Sequence, residues 1–114
     1  MMPSHILVDV RPADADLLKT VEPVWSILRE AVARSGATVI HTHVHQFSPH
    51  GFSGFFLIAE SHVSVHSWVE LGLLAIDILS CGNMDPQAIV GHLREHISPA
   101  EVSVLHVTRG ELPA

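Results

Sequence analysis

Beyond Ala37 the apolar residues stop recurring at every third and fourth position and begin to alternate, and strand-like runs follow one another as far as Leu79. Alternation sends successive side chains to opposite faces, so this half of the chain reads as sheet with one face dressed for a core. Thr38–His45 reads as a strand and the turn-rich stretch 47–54 as a loop, while Phe55–Glu60, His62–Trp68 and Leu73–Leu79 are β-prone, with Gly72 as a break before the last. His5–Val10 (HILVDV) and Glu101–Thr108 (EVSVLHVT) have the same character. Between the first two strands, Leu17, Leu18, Val21, Val24, Trp25, Leu28 and Val32 share one helical face. Pro23 cannot sit inside a helix, so a short lead-in turn, capped by Asp14 or Asp16, is expected before a main helix that starts near Pro23 and ends at Gly36. Asp85-Pro86 is a start signal for a second helix through about His96. The expected order is β-α-β-β-β-α-β. The fold class is α+β, a two-layer α/β sandwich with an antiparallel sheet covered by two helices on one face.

At 114 residues the chain has room for a single domain, 1–114, small enough that dimerisation would help bury its apolar surface. Six Lys and Arg against 12 Asp and Glu give a formal charge of −6, without a basic run to track phosphates or an anionic membrane. Nucleic acid and membrane are therefore not expected partners. The start Met1-Met2-Pro3-Ser4-His5 lacks the charged and apolar regions of a leader, and no apolar run is long enough to span a bilayer, so a cytoplasmic location is expected. The lone Cys81 has no partner for an internal disulfide and is either buried filler or a reactive thiol.

Ten histidines draw attention first. His41, His43 and His45 alternate along one strand and so share a face, a geometry able to ligate metal; without a paired Glu or Cys motif nearby, a half-exposed face or an interface is the plainer reading, and no metal is expected. The second constellation is the run from Glu60 to Glu70, ESHVSVHSWVE. Here alternation places Ser61, Val63, Val65 and Ser67 on one side and His62, Ser64, His66 and Trp68 on the other. A serine and a histidine at this spacing can make an activated hydroxyl, although no third orienting group is evident and a decorated strand explains the same residues.

The segment ESHVSVHSWVELGLLAIDILSCG resembles the core of the prokaryotic S-adenosylmethionine decarboxylase family, ESH-x-x-x-H-T-W-P-E followed after a strand by T-C-G. HQFSPHGFSG is similar to that family's H-x-F-x-P-x-G-V-S-G, and His5 with Asp9 match its usual opening. These motifs stand in the family's order and spacing over nearly the whole chain. The resemblance implies a proenzyme that cuts itself between Glu60 and Ser61. Ser61 attacks the preceding carbonyl, and an ester and then a dehydroalanine lead to a pyruvoyl group, the covalent cofactor. Residues 1–60 become the β chain and residues 61–114 the α chain. It implies further that His66 and Ser53 assist processing, that Cys81 protonates the substrate carbon after CO₂ leaves, and that the pyruvoyl carbonyl holds the substrate amine as a Schiff base. Phe47 and Trp68 would flank adenine and Glu70 the ribose hydroxyls.

Val69 stands where the family has Pro, Phe52 where it has Val, Ser67 where it has Thr, and Leu71 and Leu73 where aromatics are frequent. These changes bear on the pocket wall more than on processing. The expected function is S-adenosylmethionine decarboxylation feeding polyamine (spermidine) synthesis, by a homodimer of processed αβ pairs. A pyruvoyl-dependent decarboxylase of arginine or ornithine is the alternative, and a non-catalytic partner subunit a third, against which the joint presence of Ser61, His66 and Cys81 argues.

Overall fold

A computed structural model describes residues 3–110; Met1 and Met2, part of the stretch read above as lacking leader character, lie outside the described residues. The elements in chain order are β1 (Ser4–Pro12), α1 (Val24–Arg34), β2 (Val39–Gln46), β3 (Phe52–Ile58), β4 (Ser61–Trp68), β5 (Leu73–Ser80), α2 (Pro86–His96) and β6 (Ala100–Thr108). Short 3-10 turns at Ala15–Leu18 and Val69–Leu71 complete them. Four strands lie between the helices, one more than the expected order, because the histidine strand and each of the three runs after it form separate strands. All pairings are antiparallel, in one sheet of order β2-β3-β4-β5-β1-β6.

One face of the sheet carries the core. Ile6, Val8 and Val10 alternate inward from β1, Phe52, Phe56 and Ile58 from β3, Val63 and Val65 from β4, and Leu74, Ile76 and Ile78 from β5. Against them lie Val24, Trp25, Leu28, Ala31 and Val32 of α1, at the three-and-four spacing seen in the sequence, and Ile89, Val90 and Leu93 of α2. Helix boundaries follow local chemistry. Asp85 caps α2 by accepting the Gln87 amide at 3.0 Å, and Gly36, at φ +86°, takes the left-handed turn that ends α1. Asp14, rather than Asp16, caps the lead-in turn.

Two details set the phase of the strands that carry the chemistry. Trp25 stacks on Phe56 with centroids 4.4 Å apart, and a Cβ on Gly54 would lie 2.8 Å from the Trp25 ring, so the indole occupies the space that glycine leaves. The segment Phe52–Gly54, expected as loop, is therefore the start of β3; Phe52 is fully buried and pairs with Gln46. In β2 the register shifts between Val39 and His41, a bulge that turns His41, His43 and His45 away from the helices.

Among the described residues, none forms a layer over the other face. His41, His43 and His45, Phe55 and Leu57, His62 and His66, Trp68 and Leu105 are all on this open side. Phe55, Leu57, Trp68 and Leu105 are exposed, between 38% and 61%. This face therefore presents apolar and aromatic side chains together at the surface. Among the described residues no helix is long and apolar enough to cross a membrane, and no three metal-ligating side chains lie together.

Candidate active site

The first cluster forms where β3 turns into β4. Ile58 pairs with Ser61, which leaves only Ala59 and Glu60 for the connection. Two-residue hairpins demand positive φ, which Gly, Asn or Asp usually supply. Glu60 takes φ +68°, alone among the described non-glycine residues. Ser61 begins β4 on the helix-facing side, nearly buried, with its Oγ donating to the carbonyl of Leu79 on β5. The β4–β5 pairing brings the end of β5 alongside, so Cys81 follows directly, and its Sγ donates to the Glu60 carbonyl at 3.3 Å. The carbonyl preceding Ser61 thus has a thiol donor on its oxygen, while the Ser61 hydroxyl, next in the chain, is held by Leu79. Beside it opens a small cleft of about 60 Å³ lined by Gly36, Thr38, Ile58, Glu60, Cys81 and Met84 among others.

The second cluster lies at the far end of β4, on the open face. The β3–β4 register sets Ser53 opposite His66, and Ser53 Oγ donates to the Val65 carbonyl at 3.3 Å. His66 has Trp68 at 4.2 Å and Phe47 at 6.0 Å between ring centroids, and Phe47 meets His45 edge-on at 5.0 Å. His45, Phe47, His66 and Trp68 therefore form a continuous aromatic rack. Glu70 is exposed in the turn Val69–Leu71, which closes at Gly72 with φ +62°. A flat π-system with an exposed carboxylate two residues after Trp68 suits a ligand with a planar base and hydroxyls or a positive charge.

A single protomer does not bring the two clusters together. Ser61 and His66 are five positions apart on β4, about 16 Å at the rise of a strand, and the odd separation puts them on opposite faces. Three of the five substituted positions are also not where expected. Phe52 is in the core, Ser67 Oγ accepts the Phe52 amide at 2.9 Å, and Val69 packs near Gly51, so these three lie beneath the loop 47–51 instead of lining the open face. Sequence reasoning passed over Gln46, whose amide ties that loop down; its only signal was an amide side chain between two aromatic positions of the motif.

Residues 4–110 match the S-adenosylmethionine decarboxylase family. The S-adenosylmethionine decarboxylase proenzyme of Methanococcus aeolicus is 33% identical over 95% of this chain and 93% of its own length. That of Pelotomaculum thermopropionicum is 36% identical over 96% of this chain and 87% of its own. Among solved structures, the adenosylmethionine decarboxylase of Aquifex aeolicus superposes with a TM-score of 0.81 at 33% identity, covering 98% of this chain and 93% of that one. Motif order, fold and overall identity agree, and the chain belongs to the S-adenosylmethionine decarboxylase family.

Proposed function

We propose that this chain is a self-processing, pyruvoyl-dependent decarboxylase of S-adenosylmethionine that works as a homodimer of cleaved pairs. One observation carries the reading: the Glu60-Ser61 peptide unites a left-handed non-glycine residue, a following serine and a thiol bonded to its carbonyl oxygen. A non-glycine residue in the left-handed region costs about 1–2 kcal/mol. Cutting the chain after Glu60 lifts that constraint. Cys81 draws electron density from the carbonyl that Ser61 Oγ attacks, in the manner of an oxyanion donor. The attack converts the amide to an ester; loss of the Ser61 α-proton to a base then expels the Glu60 carboxylate, and water completes the change to a pyruvoyl group with release of ammonia. His66 is the base in this account and Ser53 its neighbour.

The residues around the new α-chain terminus suit such a group, since it starts a strand beside Cys81 and the cleft. A pyruvoyl carbonyl supplies the electron sink for loss of CO₂ from a bound amino acid. Cys81 delivers the proton to the carbon left behind, Phe47 and Trp68 hold the adenine, and Glu70 takes the ribose hydroxyls.

The 16 Å gap between clusters is the argument for two copies. A two-fold axis lying between two open faces and crossing their strands lays the strand end that carries the Glu60-Ser61 turn, where Glu60 is exposed, over the His66 end of the other copy. The same packing covers Phe55, Leu57 and Leu105, as a small chain needs.

The substrate is tested by turnover of S-adenosylmethionine, arginine and ornithine together with calorimetric binding of methylthioadenosine, which has the adenosyl part and no amino acid. Saturable binding that Trp68→Ala removes is expected, and Glu70→Gln should lower kcat/KM for S-adenosylmethionine about tenfold or more, the loss of charge-assisted hydrogen bonds, with self-cleavage intact. No methylthioadenosine binding, with turnover of arginine or ornithine, overturns the adenosyl assignment.

A further inference from the structure

Phe47 is exposed, follows the last residue of an edge strand and opens a loop of Ser, Pro, His and Gly, so its place in the aromatic rack needs an anchor. We infer that Gln46 is that anchor, a positioning residue that holds Phe47 ready for the adenosyl group.

Gln46 ends β2 opposite Phe52, on the side away from the rack. Its Oε1 accepts the Val21 amide at 2.9 Å. Its Nε2 lies within bonding distance of three carbonyls, Lys19 at 2.9 Å, Gly51 at 2.9 Å and Phe47 at 3.2 Å. The loop adds its own closure: Phe47 N donates to Gly51 O at 2.7 Å, and Gly51 N to Lys19 O at 2.8 Å. One side-chain amide therefore ties both ends of the Phe47–Gly51 loop to the segment that leads into α1.

The chemistry is selective. A carboxylate at this position accepts from Val21 but repels the three carbonyls, an ammonium or guanidinium donates but cannot accept, and an apolar side chain does neither. Asparagine is one carbon short of the same span. The bonds hold the backbone on either side of Phe47 without any contact to the open face, so Gln46 acts through Phe47. An aromatic side chain already fixed in its bound place adds no ordering cost when ligand arrives.

This inference rests on Phe47 being a neighbour of adenine, and the experiment separates the two ideas. Wild type, Phe47→Ala, Gln46→Met and Gln46→Glu are compared as purified dimers for self-cleavage, methylthioadenosine affinity and steady-state kinetics. Both Gln46 variants should cleave at the wild-type rate, because Ser53 and His66 sit in regular strands. KM and the methylthioadenosine dissociation constant should rise about tenfold with kcat within twofold, the cost of ordering one side chain and its loop on binding. Hydrogen exchange should quicken at the Gly51 amide in both, and at the Val21 amide in Gln46→Met, which alone loses the acceptor. Unchanged affinity in Phe47→Ala overturns the adenine assignment and the inference with it. Weakened binding in Phe47→Ala with wild-type KM in Gln46→Met or Gln46→Glu overturns the inference alone. A kcat loss matching the KM change, or failure of both Gln46 variants to fold and cleave, also overturns it, since Gln46 is then a general structural residue.

Discussion

Ser61→Ala is expected to persist as one uncut polypeptide, as is His66→Ala, yet co-expression of the two should restore cleavage. Ser61 and His66, the nucleophile and the base of the proposed mechanism, occupy different faces of β4, about 16 Å apart, so within one copy neither can serve the other. In a mixed dimer one interface pairs the intact Ser61 of the His66→Ala chain with the intact His66 of the Ser61→Ala chain. Only the His66→Ala chains should then be cut, and only those with an unlike partner. Gel bands from differently tagged chains read this directly. Cleavage within an isolated His66→Ala sample, or none in the mixture despite confirmed mixed dimers, contradicts the shared site.

The second large effect is at Cys81. Its thiol touches the Glu60 carbonyl before cleavage and, in our account, the reacting carbon afterwards. Cys81→Ala should therefore cut itself more slowly but to completion, because one of several contributions to the attack is missing. Turnover of the cleaved enzyme should fall by about 10²–10⁴-fold, the span for loss of a positioned proton donor. Reprotonation at the wrong atom should also inactivate the enzyme progressively during turnover. Wild-type turnover in the cleaved variant would reduce Cys81 to a packing residue.

Much of this arrangement was legible in the chain because it depends on short-range rules. Alternation assigned Ser61 and His66 to opposite faces, Pro23, Gly36 and Asp85-Pro86 marked helix ends, and the apolar stripe from Val24 to Val32 chose the face α1 buries. What escaped depends on partners distant in sequence. Phe52 looked like part of a glycine-rich loop, but Trp25 fills the space at Gly54 and draws the segment into β3. The bulge at Ile40 comes from a pairing register that no local pattern encodes, and it decides where three histidines point. The positive φ of Glu60 arises because Ile58 and Ser61 pair across a two-residue connection, a constraint opposed to glutamate's own preference. Motif spacing likewise nominated residues for a site but not that one strand holds the two clusters of them apart.

The central claim is the conversion of the Glu60-Ser61 bond, and the mass of the purified wild-type protein under denaturing conditions tests it most directly. The account predicts two fragments, residues 1–60 with an ordinary carboxyl end and residues 61–114 lighter by one ammonia than hydrolysis alone would leave, the signature of a pyruvoyl terminus. A single full-length chain with Ser61 intact that still decarboxylates its substrate, or an α fragment that begins with an unmodified serine, would contradict it.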